Sequence, residues 1–399
     1  MIQKHKEKFN KNIIKYLYFC TFLLGIASAF ILYLESDYFK VAIQSENITP
    51  FYIVAYGLVL ILMLNWHHFI RIYGKVRIFQ FSLSIKIIIA FLLALFPVSI
   101  WNVWLLVSYI VFTVINWLDM DILLETCSID KKTGKIRGLY LTIENAGYLA
   151  APFFSGFLVS RYGFQAAFGV SFIILLFILI LASVKIKNLD HYPLKKTAFL
   201  PFLKRIFLRK NVMKAYYISF LLEFFYALMI IYTPLYLLDL GFDWFQIGKI
   251  FTFMLIPFVL LQYPAGYLAD TKYEERNIMA GALFILAVST MAIYFISSKS
   301  VFVWALVLFC TRIGASLIEV LRDSYFYKRI DQMDVDINNF FRTVRPIAYI
   351  IGALIAAPII HVFHIKLIFV IIGLAALTGI PVSLSLASSR ILPSRATIK

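Results

Sequence analysis

Between residues 13 and 387 the chain is a succession of apolar runs separated by short polar breaks. Each run is close to the ~20 residues that carry an α-helix across ~30 Å of hydrocarbon. A chain in lipid must satisfy every backbone N–H and C=O internally, so runs of this length read as helices. The breaks place them over 13–34, 51–70, 78–96, 102–126, 138–160, 164–184, 214–238, 246–268, 277–296, 301–326, 340–363 and 366–387, twelve in all. With 62% apolar and 15% charged residues, the chain has too little polar surface to clothe a soluble globule. The expected fold is an all-α membrane protein. The first run is too long, and too far from its basic flank, for a cleaved signal peptide, and no small-residue cleavage site follows it.

The formal net charge of +17 poses a question of placement. With twelve spans, one side of the membrane receives residues 1–15, 71–77, 128–137, 185–214, 269–277, 328–345 and 388–399. Those segments hold every Lys and Arg except Lys40, Arg161, Lys299 and Lys366 in the opposite loops, and Lys86, Lys249, Arg312 and Arg322 inside the spans. Basic loops stay cytoplasmic, so both termini are expected inside, in a multi-pass protein of the cell (plasma or inner) membrane. The lipid bilayer is its surroundings, the basic excess is topology, and no nucleic-acid partner is expected. Cys20, Cys127 and Cys310 lie in spans without metal or redox spacing, and the six histidines form no ligand pattern. No phosphate-binding loop occurs, so no metal, no cofactor and no ATP drive is expected.

One polar break is richer than the rest, the stretch Gln262–Arg276 with the sequence QYPAGYLADTKYEER. Pro264 and Gly266 are expected to close one helix, Asp270 to sit at its mouth, and Lys272 and Arg276 to open the next. A carboxylate then faces cations where lipid gives way to water. Gly, three residues, Asp, then basic residues resembles the loop motif of the major facilitator superfamily, with the spacing slightly stretched. The corresponding break Arg71–Arg77 keeps Gly74, Lys75 and Arg77 but has no acid at the Asp position. An internal repeat aligns Phe22–Leu24 with Phe220–Leu222, Leu124-Glu125 with Ile318-Glu319, and Ala151-Pro152 with Ala357-Pro358. Two similar six-helix halves are the superfamily's pattern. The expected domains are a six-helix bundle over 1–184, a cytoplasmic linker over 185–213 and a second, pseudo-symmetric bundle over 214–399. Within the linker, Phe199–Leu208 reads either as an amphipathic helix on the membrane face or as plain solvated chain.

The resemblance implies roles inside the helices. Gly147, Ala151, Pro152, Ser155 and Gly156 are similar to the superfamily's antiporter motif, with Ala151 and Ser155 standing where it has glycine. The family associates that close, bendable contact with export in exchange for protons, although small residues at this spacing also serve ordinary helix packing. A charge cluster locking the cytoplasmic gate is implied for Gly266, Asp270, Lys272, Arg276, Glu319 and Asp323, with Arg77 and Glu125 as a weaker counterpart in the first half. Ionisable groups within spans are costly, and so are functional candidates. Asp119, Glu223 and Arg312 lie deeper, and the arginine is expected to take Asp119 or Glu223 as its counter-ion. Glu144 is a further candidate for substrate or proton coupling. Lys86, on a helix that is peripheral in the family, reads equally well as a snorkelling side chain. The arginine usual in the 102–126 helix of proton-coupled members is missing, and acids stand in its region.

The expected function is secondary active transport of a small molecule by alternating access, with the chain acting as a monomer. Export against entering protons stands ahead of proton-coupled import of a sugar, organic acid or peptide. A transport-inactive sensor or scaffold is the reading from another class. No nucleophile–base pair supports an enzyme.

Overall fold

The computed structural model describes residues 11–127, 133–186, 208–271, 273–329 and 340–388, so 199–207 of the candidate amphipathic stretch lie outside the described residues. Among the described residues the chain forms thirteen α-helices and no strand. It divides into two compact units, Met1–Lys195 and Lys196–Lys399.

The first unit contains α1 (Lys11–Leu32), α2 (Glu35–Ile43), α3 (Thr49–Tyr73), α4 (Lys75–Leu95), α5 (Val103–Cys127), α6 (Thr133–Tyr162) and α7 (Phe164–Lys185). A turn at Tyr33-Leu34 separates α1 from α2, and together they make one long span, Ile13–Ile43. Two of the links are single glycines. Gly74 between α3 and α4 has φ 92°, and Gly163 between α6 and α7 has φ 78°. A Cβ is strained in that region, so glycine lets one helix end and the next begin within a residue. α1 packs against α6 and α7, α4 against α5 and α7, and α3 against α5.

The second unit contains α8 (Lys210–Asp239), α9 (Trp244–Thr271), α10 (Glu275–Ala292), α11 (Val301–Arg329), α12 (Val344–Val362) and α13 (Leu367–Leu384). α11 packs against α9 and α10, α13 against α10 and α8, and α12 against α8. Counting α1 and α2 as one, eleven segments are long and apolar enough to cross a membrane. The twelfth, α6, is the longest in its unit at 30 residues, but Thr142, Glu144 and Asn145 dilute its apolar run. These are the twelve expected helices.

One boundary differs. Pro264 and Gly266 do not close a helix, because α9 continues through both to Thr271. Ending there would leave carbonyls without partners before the chain reached water, a heavier cost than one hydrogen bond lost to proline. Gly266 is not a forced close approach either. A Cβ there would lie 3.8 Å from Val320, an ordinary contact.

Candidate functional site

Helix α11 presents a buried cation to the acids of its own unit. Arg322 donates from Nη2 to Glu223 Oε1 at 3.2 Å, and its Nε lies 3.5 Å from Asp323 Oδ1. The Arg322 and Glu223 side chains are each only 11% exposed. A third acid, Glu319, sits one turn before Asp323 on α11. Its Oε2 accepts from the Tyr226 hydroxyl of α8 at 3.3 Å and from Gln262 Nε2 of α9 at 3.2 Å. Three helices thus converge on three carboxylates and one guanidinium, with Glu223 and Asp323 ion-paired to Arg322 and Glu319 accepting two neutral donors. Arg312, ten residues earlier on α11, is 2% exposed, and its guanidinium lies 4.8 Å from the centre of the Phe225 ring. That is cation–π distance.

The first unit buries an acid differently. Asp119 on α5 is 2% exposed. Its Oδ1 accepts the Trp66 indole N–H at 2.7 Å and its Oδ2 the Ser82 hydroxyl at 2.7 Å. The Asn116 amide lies 2.8 Å from the same hydroxyl. The donors are neutral and come from α3 and α4, so the carboxylate pins three helices together without an ion pair. On α4, Lys86 is wholly buried and lies 4.8 Å from the Tyr109 ring centre of α5. It stands about 16 Å from the Lys75 end of its helix, beyond the reach of a lysine stem. Lys86 therefore does not snorkel, and its amine lies in the bundle interior.

α1 and α6 meet backbone to backbone. A Cβ on Gly147 would stand 2.5 Å from the Phe22 carbonyl oxygen and 3.2 Å from Gly25 Cα, and one on Gly25 would stand 2.9 Å from the Glu144 carbonyl oxygen. One turn on, Ala151, Pro152, Ser155 and Gly156 are all buried. Pro152 stays inside the helix, and the Ser155 hydroxyl donates to its carbonyl at 3.2 Å.

The Major Facilitator Superfamily family model matches residues 120–332, more than half of the chain. The chain belongs to the major facilitator superfamily. Its helices are those of a multi-pass membrane protein, and its family is one of secondary transporters. Among solved structures, the chain is similar in fold to the POT family transporter PepTSo, with a TM-score of 0.74, 12% identity, 93% of this chain covered and 96% of that one. No curated protein matches it.

Against the superfamily's motifs, several expected partnerships are corrected. The ion pair of Glu223 among the described residues is with Arg322 rather than the expected Arg312. The other acid expected for it, Asp119, has its two oxygens taken by Trp66 and Ser82. Arg312 and Arg322 are ten residues apart, about 15 Å along the helix and some 80° apart around it. Of the motif loop, Arg276 pairs with Glu274 at 2.5 Å and donates to the Leu386 carbonyl at 3.3 Å. The Asp270 side chain, all of Lys272 and the Glu125 side chain lie outside the described residues. Glu319 and Asp323 belong with Tyr226, Gln262 and Arg322 rather than with Arg276. In the first half Arg77 is exposed, whereas Lys75 is buried and donates to Thr126 of α5 at 2.8 Å. Glu144 is half-buried on α6. Trp66, Ser82, Tyr226 and Gln262 were missed by sequence reasoning. Gln262, a polar residue at the end of an apolar run, carried a readable signal, but the other three are ordinary membrane-helix residues until their neighbours are known.

Proposed function

We propose that the chain is a proton-coupled exporter. It moves a small molecule out of the cell by alternating access while protons enter, as a monomer in the cell membrane with both termini cytoplasmic. The observation that carries the reading is the contact of α1 and α6 at Gly25 and Gly147, followed by Pro152 one turn later. Contact between backbones, with a proline inside the same helix, permits a bend that bulky side chains would block. The superfamily associates this arrangement with antiport.

The buried acids supply the proton chemistry. Protonating Asp119 removes a buried charge and leaves one oxygen to accept from Trp66 or Ser82. In the second unit Glu223 and Asp323 share Arg322, so a proton on one acid is accommodated by the arginine turning to the other. Glu144 and Arg312 complete the candidate set. The basic loops that set the orientation support cytoplasmic termini. The Arg276–Glu274 pair and the Glu319 and Asp323 cluster are the described parts of the proposed cytoplasmic gate.

The test uses purified protein in proteoliposomes of known orientation, a small-molecule library and an imposed proton gradient. Flux of at least one compound opposite to proton flow supports export. Flux in the same direction as protons replaces it with import. Absence of gradient-dependent flux for every compound favours the sensor or scaffold.

A further inference from the structure

The first unit contains a second arrangement of aromatic and acidic groups, distinct from the Asp119 cage. Trp117 of α5 stacks on Tyr148 of α6, with ring centres 6.2 Å apart and planes 28° from parallel. Trp117 is 8% exposed, yet among the described residues its indole N–H has no hydrogen-bond partner. A buried donor without an acceptor is a standing cost, and it points to an acceptor supplied from outside the chain.

The helical repeat sets two acids beside this ring pair. Asp121 follows Trp117 by four residues on α5, and Glu144 precedes Tyr148 by four on α6. Residues four apart share a helix face. α5 and α6 are consecutive and run in opposite directions, so both carboxylates fall on the same side of the ring pair. Both acids are half-buried and so remain within reach of solvent. Gly147, next to Tyr148, faces α1, so this face of α6 lies beside the contact on which the export reading rests.

We propose that Trp117, Tyr148, Asp121 and Glu144 form the substrate site of the first unit, and that it takes an organic cation with an aromatic or other flat apolar body and a hydrogen-bond acceptor. The rings supply apolar surface and cation–π attraction. The two acids supply a field that draws a positive charge to one end, and the indole N–H meets the acceptor. The inference rests on the proposed small-molecule transport, whose substrate class it names.

Binding in detergent separates the two claims, because it depends neither on the direction of transport nor on proton coupling. The probes are rhodamine 6G, a flat cation with an ester acceptor, and a neutral rhodamine of the same ring size, with binding read by fluorescence anisotropy on the purified full chain. The cation is expected to bind at least tenfold more tightly than the neutral probe. Asp121→Asn/Glu144→Gln should lose most of that preference. Trp117→Phe keeps the stack and the fold but removes the N–H, and should weaken the cation severalfold. Circular dichroism and size-exclusion profiles of each variant must match those of the parent. Equal affinity for the two probes, or a double variant that keeps the preference, overturns the site. Tight, acid-dependent cation binding without gradient-driven flux keeps the site and overturns the exporter.

Discussion

Arg322→Met is the substitution that most directly tests the charge network of the second unit. The guanidinium stands 3.2 Å from Glu223 and 3.5 Å from Asp323, with side chains at most 15% exposed. At an effective dielectric of ~20, a unit pair at 3.2 Å attracts by about 5 kcal/mol before desolvation is counted. Desolvation returns much of that, so the net worth of the pair is far smaller. Removing one partner is different, because it leaves the acids buried together without their cation, at about 3–5 kcal/mol. Glu223→Gln alone should cost less, about 1.5–3 kcal/mol, since Arg322 keeps Asp323. The double variant should fall short of the sum of the singles by about 1–3 kcal/mol, as expected for residues in contact. Chemical unfolding of purified protein in mixed micelles measures all three. Arg312→Met is the control: it too should destabilise, but Glu223→Gln should leave its cost unchanged within about 0.5 kcal/mol. If Glu223→Gln rescues Arg312→Met and not Arg322→Met, the pairing assigned here is wrong.

The glycine contact gives a second prediction. A Cβ at Gly147 falls 2.5 Å from a backbone oxygen, so Gly147→Ala should force α1 and α6 apart and cost about 1–3 kcal/mol in the same unfolding assay; Gly281→Ala, where a Cβ meets nothing, should not. Asp119→Asn should abolish gradient-driven flux while exchange of substrate across the membrane continues, because it keeps an acceptor but cannot carry a proton. Wild-type accumulation by that variant would remove Asp119 from the coupling. A single cysteine at exposed Lys185 should label only from the cytoplasmic side and one at exposed Lys299 only from outside, in a protein otherwise free of cysteine. The reverse pattern would invert every assignment of inside and outside.

Much of the architecture was present in the sequence because lipid permits so few solutions. A run of about twenty apolar residues with no water to bond its backbone must be a helix, so the helix count followed from counting runs. The proposed orientation rests on the distribution of Lys and Arg, by an equally blunt rule. Gly147 was legible as a packing position, although nothing in the sequence said that its backbone would meet that of Gly25 on α1.

What the sequence could not decide was which charge meets which. Helical periodicity puts Glu319 and Asp323 on one face of α11, but a partner on another helix is reached only when that helix's rotation and height are also set. Those two quantities come from the packing of apolar side chains along the whole length of α8, α9 and α11, and no short stretch encodes them. Thus Glu223 went to Arg322 rather than to Arg312, and Asp119 was met by an indole and a hydroxyl rather than by a cation. α9 ran past Pro264 and Gly266 for a similar reason. A local breaker signal is worth a few kcal/mol at most, and the unbonded carbonyls of a helix stopped short of water outweigh it.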